Sequence, residues 1–303
     1  MDFGISDEQR RLCEAATAFG REVLEPGIEE RERAGGFDRS LWRQSGEAGI
    51  LGAYVPTEYG GQGRDVLTTI LIMEALGAGC RDNGITLGLN GQMWAVQEPI
   101  LRFGTETQKQ RYLPPLCAGE WFGAHGMTEA ASGSDTFALQ TVAVRDGDDY
   151  LLSGTKIYIG LGPVCDVALI FAATDPDKGR WGISAFLVDG DTPGLTRGPA
   201  QRKMGLNTSP MGEVVMDECR VPADQRLGPE GAGLSIFNHS MEWERSFIFA
   251  SHVGSMARQL DEAVAHARGR RQFGQPIGRF QSVSNRIADM KLRLETCRLL
   301  LHK

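Results

Sequence analysis

The chain's patterning changes from helical periodicity to short, turn-bounded strands and back, and this constrains the fold more than any other feature. From Asp7 to about Gly119 the pattern is helical. Ser6 precedes Asp7 and Glu8, a capping residue followed by acids that complement the helix dipole. Leu12, Ala15, Ala16, Phe19 and Val23 then recur at helical spacing, and Pro26 ends the run. The same reading predicts helices over Ser40–Ala48, Leu67–Ala78 and Ala95–Phe103, with Thr105 capping a short helix that ends near Pro114. From about Trp121 to Leu227, segments rich in β-branched or apolar residues take over: Thr141–Val144, Tyr150–Leu152, Val167–Ala172, Ile183–Val188 and Glu213–Met216. Turn signals at Asp146-Gly147, Asp189-Gly190 and Pro193-Gly194 separate them, as in an antiparallel sandwich or barrel. Beyond Gly231 two long helices are predicted, Leu234–Ala267 and Phe280–Lys303, joined by the basic, glycine-rich connector RGRRQFGQPIGRF.

The expected class is therefore α+β, divided at 1–120 (helical), 121–228 (antiparallel β) and 229–303 (helical, an incomplete bundle). The last helix keeps its apolar pattern through Leu294, Leu299, Leu300 and Leu301 to the final residue, with no glycine or proline stop. Such a face calls for a longer chain or a partner that covers it.

Composition narrows the function. A net charge of −7 leaves no footprint for nucleic acid. No apolar run approaches the roughly 18–20 residues that span a bilayer. The start, MDFGISDEQRRL, lacks the basic and apolar regions of a secretion signal, so the cytoplasm is the expected compartment. Cys13, Cys80, Cys117, Cys165, Cys219 and Cys297 lie far apart with no CxxC pair, so each is expected to be a buried thiol outside any disulfide or metal site. Gly60-Gly61-Gln62-Gly63 opens no GxGxxG helix, which argues against a Rossmann cofactor site and for a structural turn.

One stretch carries a more specific signal. His125–Asp135 reads HGMTEAASGSD and resembles the flavin-binding signature of the acyl-CoA dehydrogenase family. Four further blocks resemble that family in the same order: GTETQKQRYLPPLCAGE (Gly104–Glu120), SGTKIYIG (Ser153–Gly160), KMGLNTSPMGEVVMDECRVPADQRLG (Lys203–Gly228) and RRQFGQPIGRFQ (Arg270–Gln281). The likeness covers essentially the whole chain and implies the family's α, β, α domain order.

It also implies FAD and a two-part reaction, in which a carboxylate removes the α-proton of an acyl thioester while the β-hydride moves to flavin N5. By resemblance, Met127 and Thr128 contact the isoalloxazine, Ser134 contacts the flavin or the pantetheine arm, and His125 stands where many relatives carry an aromatic residue. Tyr158 aligns with a tryptophan that stacks on the flavin. Gly160 departs from the family's usual Thr or Ser beside N5, which bears on the flavin's electronic tuning. Arg270, Phe273 and Gln281 match residues that reach a neighbouring subunit's FAD.

The base is expected at Glu244, in the helix segment SMEWERSF, as in isovaleryl- and long-chain-type relatives. Glu242 competes, but two residues along a helix turn through about 200°, so both cannot face one site. Glu242 and Arg245 are candidate substrate contacts. The bland reading of this segment is a solvated face with an ion pair from Glu242 to Arg245. The implied partners are an acyl-CoA or an acyl carrier protein thioester, an electron-transfer flavoprotein, and further copies of the chain as a homodimer or homotetramer. Two alternatives stand beside dehydrogenation: a flavin monooxygenase or oxidase, which Gly160 would suit, and a non-catalytic truncated homologue.

Overall fold

The computed structural model describes residues 4–303; the first three residues of the N-terminal segment read above lie outside the described residues. The helices are α1 (Asp7–Phe19), α2 (Ile28–Ala34), α3 (Arg39–Glu47), α4 (Val66–Gly79), α5 (Asn83–Gln92), α6 (Glu98–Phe103), α7 (Glu106–Cys117), α8 (Gly233–Phe247), α9 (Ala250–Gly269) and α10 (Gln281–His302). The strands are β1 (Gly123–Gly126), β2 (Val142–Asp146), β3 (Asp149–Gly160), β4 (Val167–Ala173), β5 (Ile183–Asp189), β6 (Leu195–Arg197), β7 (Met211–Pro222) and β8 (Arg226–Leu227), with a short hairpin, β9 (Arg271–Gln272) and β10 (Gln275–Pro276). The chain folds as two compact units. One takes residues up to Ile28, then Asp65–Thr86 and Phe249–Lys303; the other takes Glu29–Arg64 and Leu87–Ile248.

The first unit is a helical bundle. Ser6 caps α1 in a reciprocal capping box with Gln9, as its position before two acids suggests. Helix α4 is apolar around its whole circumference and buries Ile70, Leu71, Ile72, Met73 and Leu76, because neighbours pack on several of its sides. It meets α9 backbone to backbone: a Cβ on Gly77 would fall 1.8 Å from the Ser251 carbonyl oxygen, and one on Gly254 1.8 Å from that of Glu74. The Glu74 carboxylate in turn takes Arg298 Nε at 2.7 Å and His302 Nε2 at 2.9 Å from α10. Burial works against the Glu74 charge, but the bonds from His302 and Arg298 outweigh it and hold the carboxyl below its ordinary range. Leu294 is buried, whereas Leu292, Leu299 and Leu300 of the same helix are exposed.

The second unit is built on one sheet ordered β6-β7-β3-β2-β4-β5-β8, with β1 paired to β4. Successive residues of β4 serve two cores. Val167, Leu169 and Phe171 join Ile183, Ala185 and Leu187 of β5 against a helical layer that includes Ile100, Leu113, Leu116, Ile236 and Phe237. Ala168, Ile170 and Ala172 instead pack with Tyr150, Leu152, Val214 and Val221 of β3 and β7. A strand buried on both faces reads as a continuous apolar run, which is why Val167–Ala172 shows no alternation.

Several expectations need correction. Most strand pairs are antiparallel, but β2 meets β4 in parallel at Val142↔Ala173, and β1 runs parallel to β4, from Gly123↔Val167 to Gly126↔Ile170. The β2–β3 hairpin intervenes between them and returns the chain to β4 in the direction of β1. The single helix expected over Leu234–Ala267 is two, interrupted between Phe247 and Ala250 where the chain passes from one unit to the other. Helix α7 runs through Pro114 and Pro115 to Cys117, although each proline removes an N–H donor, and beyond them the Pro114 and Pro115 carbonyls accept from Ala118, Glu120 and Trp121. Cys80, Cys117, Cys165 and Cys219 are buried, but Cys13 is half-buried and Cys297 exposed. Among the described residues no helix is long and apolar enough to cross a membrane.

Candidate active site

The site grows from β1. Its parallel register on β4 turns Ala124 into the sheet core and His125 to the other face, where the imidazole meets the rings of Phe171 and Phe237 at 5.2 and 5.9 Å. Gly123 permits this close layering, since a Cβ there would lie 2.8 Å from Val96 Cγ1. Gln92 locks the strand by accepting from Gly123 N at 2.7 Å and donating to the Leu116 carbonyl at 3.1 Å.

The loop after β1 is rigid through its own bonds. Lys156 Nζ donates to the Met127 carbonyl at 3.2 Å and to Glu129 Oε1 at 2.7 Å, with both side chains out of water. The Glu129 carboxylate also accepts from Gln140 N at 2.6 Å and from Thr141 Oγ1 at 2.5 Å. Although burial opposes it, these bonds keep the Glu129 carboxyl ionised below its ordinary range. Ile157 N donates to the Thr128 carbonyl at 2.9 Å, so β3 and the loop are joined at Lys156 and again at the next residue.

Beyond Lys156 the ladder with β7 slips, and the register is regained only at Ile159. The bulge places Tyr158 at φ 58° and leaves its ring 59% exposed. A non-glycine residue in this region is strained, and bulges of this kind re-aim a side chain. Gly160 follows, and a Cβ added there would meet nothing within 4 Å.

From the helical side, α8 presents Phe237, Ser240 and Glu244 along one face at spacings of three and four residues. Glu244, His125, Tyr158 and Gly160 converge on a cavity of about 340 Å³ whose other walls come from Leu87, Gly91 and Ala95, and from Lys203, Leu206 and Met211. Burial raises the Glu244 carboxyl above its ordinary pKa, opposed by the Arg245 charge. Burial, aided by the Lys156 charge, lowers the His125 imidazole to about 4 and keeps it neutral at physiological pH.

Sequence reasoning reached four of these side chains: Glu244, His125, Tyr158 and Gly160. Met127 lies buried under the loop, with Thr128 half-buried beside it. Ser134 is exposed, and so are Glu242 and Arg245, which stand off the cavity. Glu242 and Arg245 form no ion pair with each other among the described residues. Arg270, Phe273 and Gln281 belong to the other unit and are exposed, with Phe273 at the tip of the β9–β10 hairpin at φ 50° and 91% exposed. The wall contributed by Leu87, Gly91, Ala95 and Lys203 was missed. Lys203 sits inside a block already singled out, yet nothing in its spacing marks it as cavity-lining. Its ammonium donates to the Ser209 carbonyl at 2.7 Å, and burial lowers its pKa.

These residues fit a flavin ring. A rigid peptide loop, an exposed aromatic side chain held by a bulge, and a glycine with open space before it make a slot for a flat heteroaromatic group. The chain belongs to the acyl-CoA dehydrogenase family: residues 6–120 match the family's N-terminal domain, 124–219 its middle domain and 231–303 its C-terminal domain. It is an FAD-dependent oxidoreductase that dehydrogenates an acyl thioester.

Among its relatives, an L-prolyl-[peptidyl-carrier protein] dehydrogenase from Pseudomonas fluorescens is 42% identical over 304 residues, covering 100% of this chain and 80% of that protein. The short-chain specific acyl-CoA dehydrogenase of Megasphaera elsdenii is 39% identical, with the same shares covered. Of solved structures, a prolyl acyl carrier protein oxidase superposes with a TM-score of 0.97 at 42% identity over 99% of this chain and 79% of that one. The butyryl-CoA dehydrogenase of Megasphaera elsdenii gives 0.95 at 38% identity over 100% and 79%.

Proposed function

We propose that Glu244 is the base of this reaction and that the substrate is a small cyclic acyl group, of the prolyl type, held as a thioester on a carrier protein. The observation that carries the assignment is the Glu244 carboxyl, desolvated and lining the cavity that His125, Tyr158 and Gly160 also line. A carboxylate with a raised pKa is a stronger base toward a weakly acidic C–H than one in water. Helix α8 holds it at the cavity while Glu242, turned away, stays in solvent. The prolyl identity rests on relatives whose names carry prolyl thioesters on carrier proteins.

Met127, Thr128, Ser134, Tyr158 and Gly160 are the residues that would hold FAD within the chain, with Arg270, Phe273 and Gln281 offered to a second copy's FAD in a homodimer or homotetramer. FAD, when held by these residues, would supply the acceptor for the β-hydride. The chain's own contribution is to take the α-proton at a Glu244 carboxylate oxygen, to keep a neutral imidazole beside the reacting group, and to exclude water with Leu87, Ala95, Leu206 and Met211. Ser134, Glu242 and Arg245, exposed off the cavity, are the residues assigned to the carrier arm.

An electron-transfer flavoprotein is the proposed acceptor. A second reading, dioxygen as acceptor, is favoured by the open space in front of Gly160 and by the relative described as an oxidase. The deciding experiment is anaerobic titration of the FAD-loaded protein with prolyl-carrier protein, prolyl-CoA and butyryl-CoA, following flavin absorbance. Bleaching by the carrier-bound prolyl thioester is the expected result, and bleaching by butyryl-CoA alone overturns the substrate assignment. Admitting air afterwards, with and without an electron-transfer flavoprotein, separates the acceptors.

A further inference from the structure

We propose that Glu98 and His239 form a positioning pair that fixes the rotation of α8 about its own axis, and with it the place where the Glu244 carboxylate enters the cavity. This rests on Glu244 being the base. His239 Nε2 lies 2.7 Å from Glu98 Oε2, with Glu98 out of water at the start of α6 and His239 partly covered on α8. Neither atom has another hydrogen-bond partner among the described residues. The other charge that Glu98 feels is Arg102, one turn further along α6 and exposed.

The pair belongs to a stripe on α8 distinct from the one that carries the base. His239, Trp243 and Phe247 recur every four residues and so share a face. That face packs on rings: His239 on Phe103 at 5.1 Å, Trp243 on Tyr54 at 5.2 Å and on Trp94 at 5.9 Å, and Phe247 on Trp94 at 5.2 Å. Trp243 directly precedes Glu244, which stands about 100° further round the helix. The facing segment is the π-helical turn Met93–Gln97, continuous with α6. It sets Trp94 against α8 and Ala95 and Val96 on the cavity wall. The two elements that meet at the stripe therefore also line the cavity.

Ring contacts hold two helices together without fixing one angle, because aromatic pairs are favourable over centroid distances of about 4.5–7 Å and several tilts. A contact between carboxylate and imidazole is directional, and turning α8 away from it leaves a desolvated carboxylate unpaired. Polar groups set in an apolar contact are best attested as devices that fix register. The precision at stake is large. A side chain about 5–6 Å from the axis moves about 2 Å when its helix turns by about 20°. A misplacement of about 1 Å can slow a reaction about a hundredfold.

The test replaces the pair by apolar residues of similar size, Glu98→Met with His239→Leu, in the FAD-loaded protein. Flavin bleaching is followed with prolyl-carrier protein, or with butyryl-CoA should that be the thioester that bleaches the flavin. The melting temperature is expected to stay within about 3 °C of the parent or to rise, since removing both members leaves no charge unpaired. The bleaching rate at saturation should fall at least about tenfold while half-saturation moves less than about threefold. In a Glu244→Gln background the same two substitutions should change the residual rate less than about twofold, because the group they position is gone. Glu98→Gln, which keeps an oxygen for the imidazole, should hold the rate within about threefold of wild type. A rate unmoved by the double substitution overturns the proposal. So does an equal loss in both backgrounds, or a melting temperature lowered by more than about 3 °C, since either makes the pair a general support of the fold. A loss in Glu98→Gln as deep as in the double variant assigns the effect to charge and overturns it too. Glu244→Gln protein that bleaches as fast as wild type overturns the base assignment, and the proposal with it.

Discussion

Lys156 Nζ lies 2.7 Å from Glu129 Oε1, and both side chains are shielded from water, at 0% and 7% exposure. The pair connects the strand that carries Tyr158 and Gly160 to the loop that carries Met127 and Thr128. Lys156→Met leaves the Glu129 charge buried with its cation gone and should cost about 3–5 kcal/mol. Urea unfolding of the flavin-loaded protein measures this. The double variant Lys156→Met, Glu129→Gln should lose less than Lys156→Met alone, since no charge is then stranded; an equal or larger loss means packing of the lysine stem, not charge pairing, is what matters.

Glu244→Gln should leave flavin bound and slow substrate-driven bleaching by about 10²–10⁴-fold, the usual contribution of a general base. The base must be ionised, and burial raises its pKa. The rate should therefore fall with decreasing pH along a limb set above the ordinary carboxylate pKa of about 4.3. Stopped-flow bleaching across pH checks both points, and an acid limb at or below the ordinary value would count against desolvation as the tuning device.

The α4–α9 contact has no room for a methyl group. Gly77→Ala and Gly254→Ala each push a Cβ to 1.8 Å from a carbonyl oxygen of the facing helix, and neither obstacle is a flexible side chain. Each should destabilise the helical unit by at least about 3 kcal/mol, at the upper end of overpacking costs. Thermal unfolding measures it, and a shift of under 2 °C would show that the helices part at little cost.

Gly160 is the opposite case. Nothing lies within 4 Å of a Cβ built there, so Gly160→Thr should fold with a stability within about 1 kcal/mol of the parent. Filling the open space should also slow reoxidation of the photoreduced flavin by dioxygen. Stopped-flow mixing with aerated buffer reads this rate, and an unchanged rate removes Gly160 as the determinant of oxygen access.

Arg270 precedes a hairpin whose tip, Phe273, is 91% exposed. Arg270→Ala should lower flavin retention on gel filtration more than it lowers melting temperature, because a surface arginine adds little to the fold while its planar fork suits a pyrophosphate. Full flavin occupancy in the variant would refute its role toward a second copy's FAD.

Much of this was legible in local spacing. Ser6 and Thr105 stand before helices that each close a capping box, with Gln9 and Gln108. Helical geometry says that Glu242 and Glu244 cannot both face one site, since about 200° separates them, and the preference for Glu244 came from the resemblance of Glu244-Arg245 to the family's pattern. The order of five sequence blocks was enough to identify the family, and with it the flavin. Near neighbours in the chain dictate such features, so the sequence carries them directly.

Tertiary pairing decided the rest. Lys156 and Glu129 are far apart in the chain and become partners only when β3 lies beside the loop after β1. The parallel β1–β4 register, which turns His125 toward Phe171, depends on the hairpin between those strands, and alternation within a strand does not name its partner. Tyr158 takes its left-handed backbone from a ladder slip against β7, which no propensity of tyrosine foretells. Local spacing determined the elements, whereas non-local closure of the sheet on α8 decided which residues line the cavity.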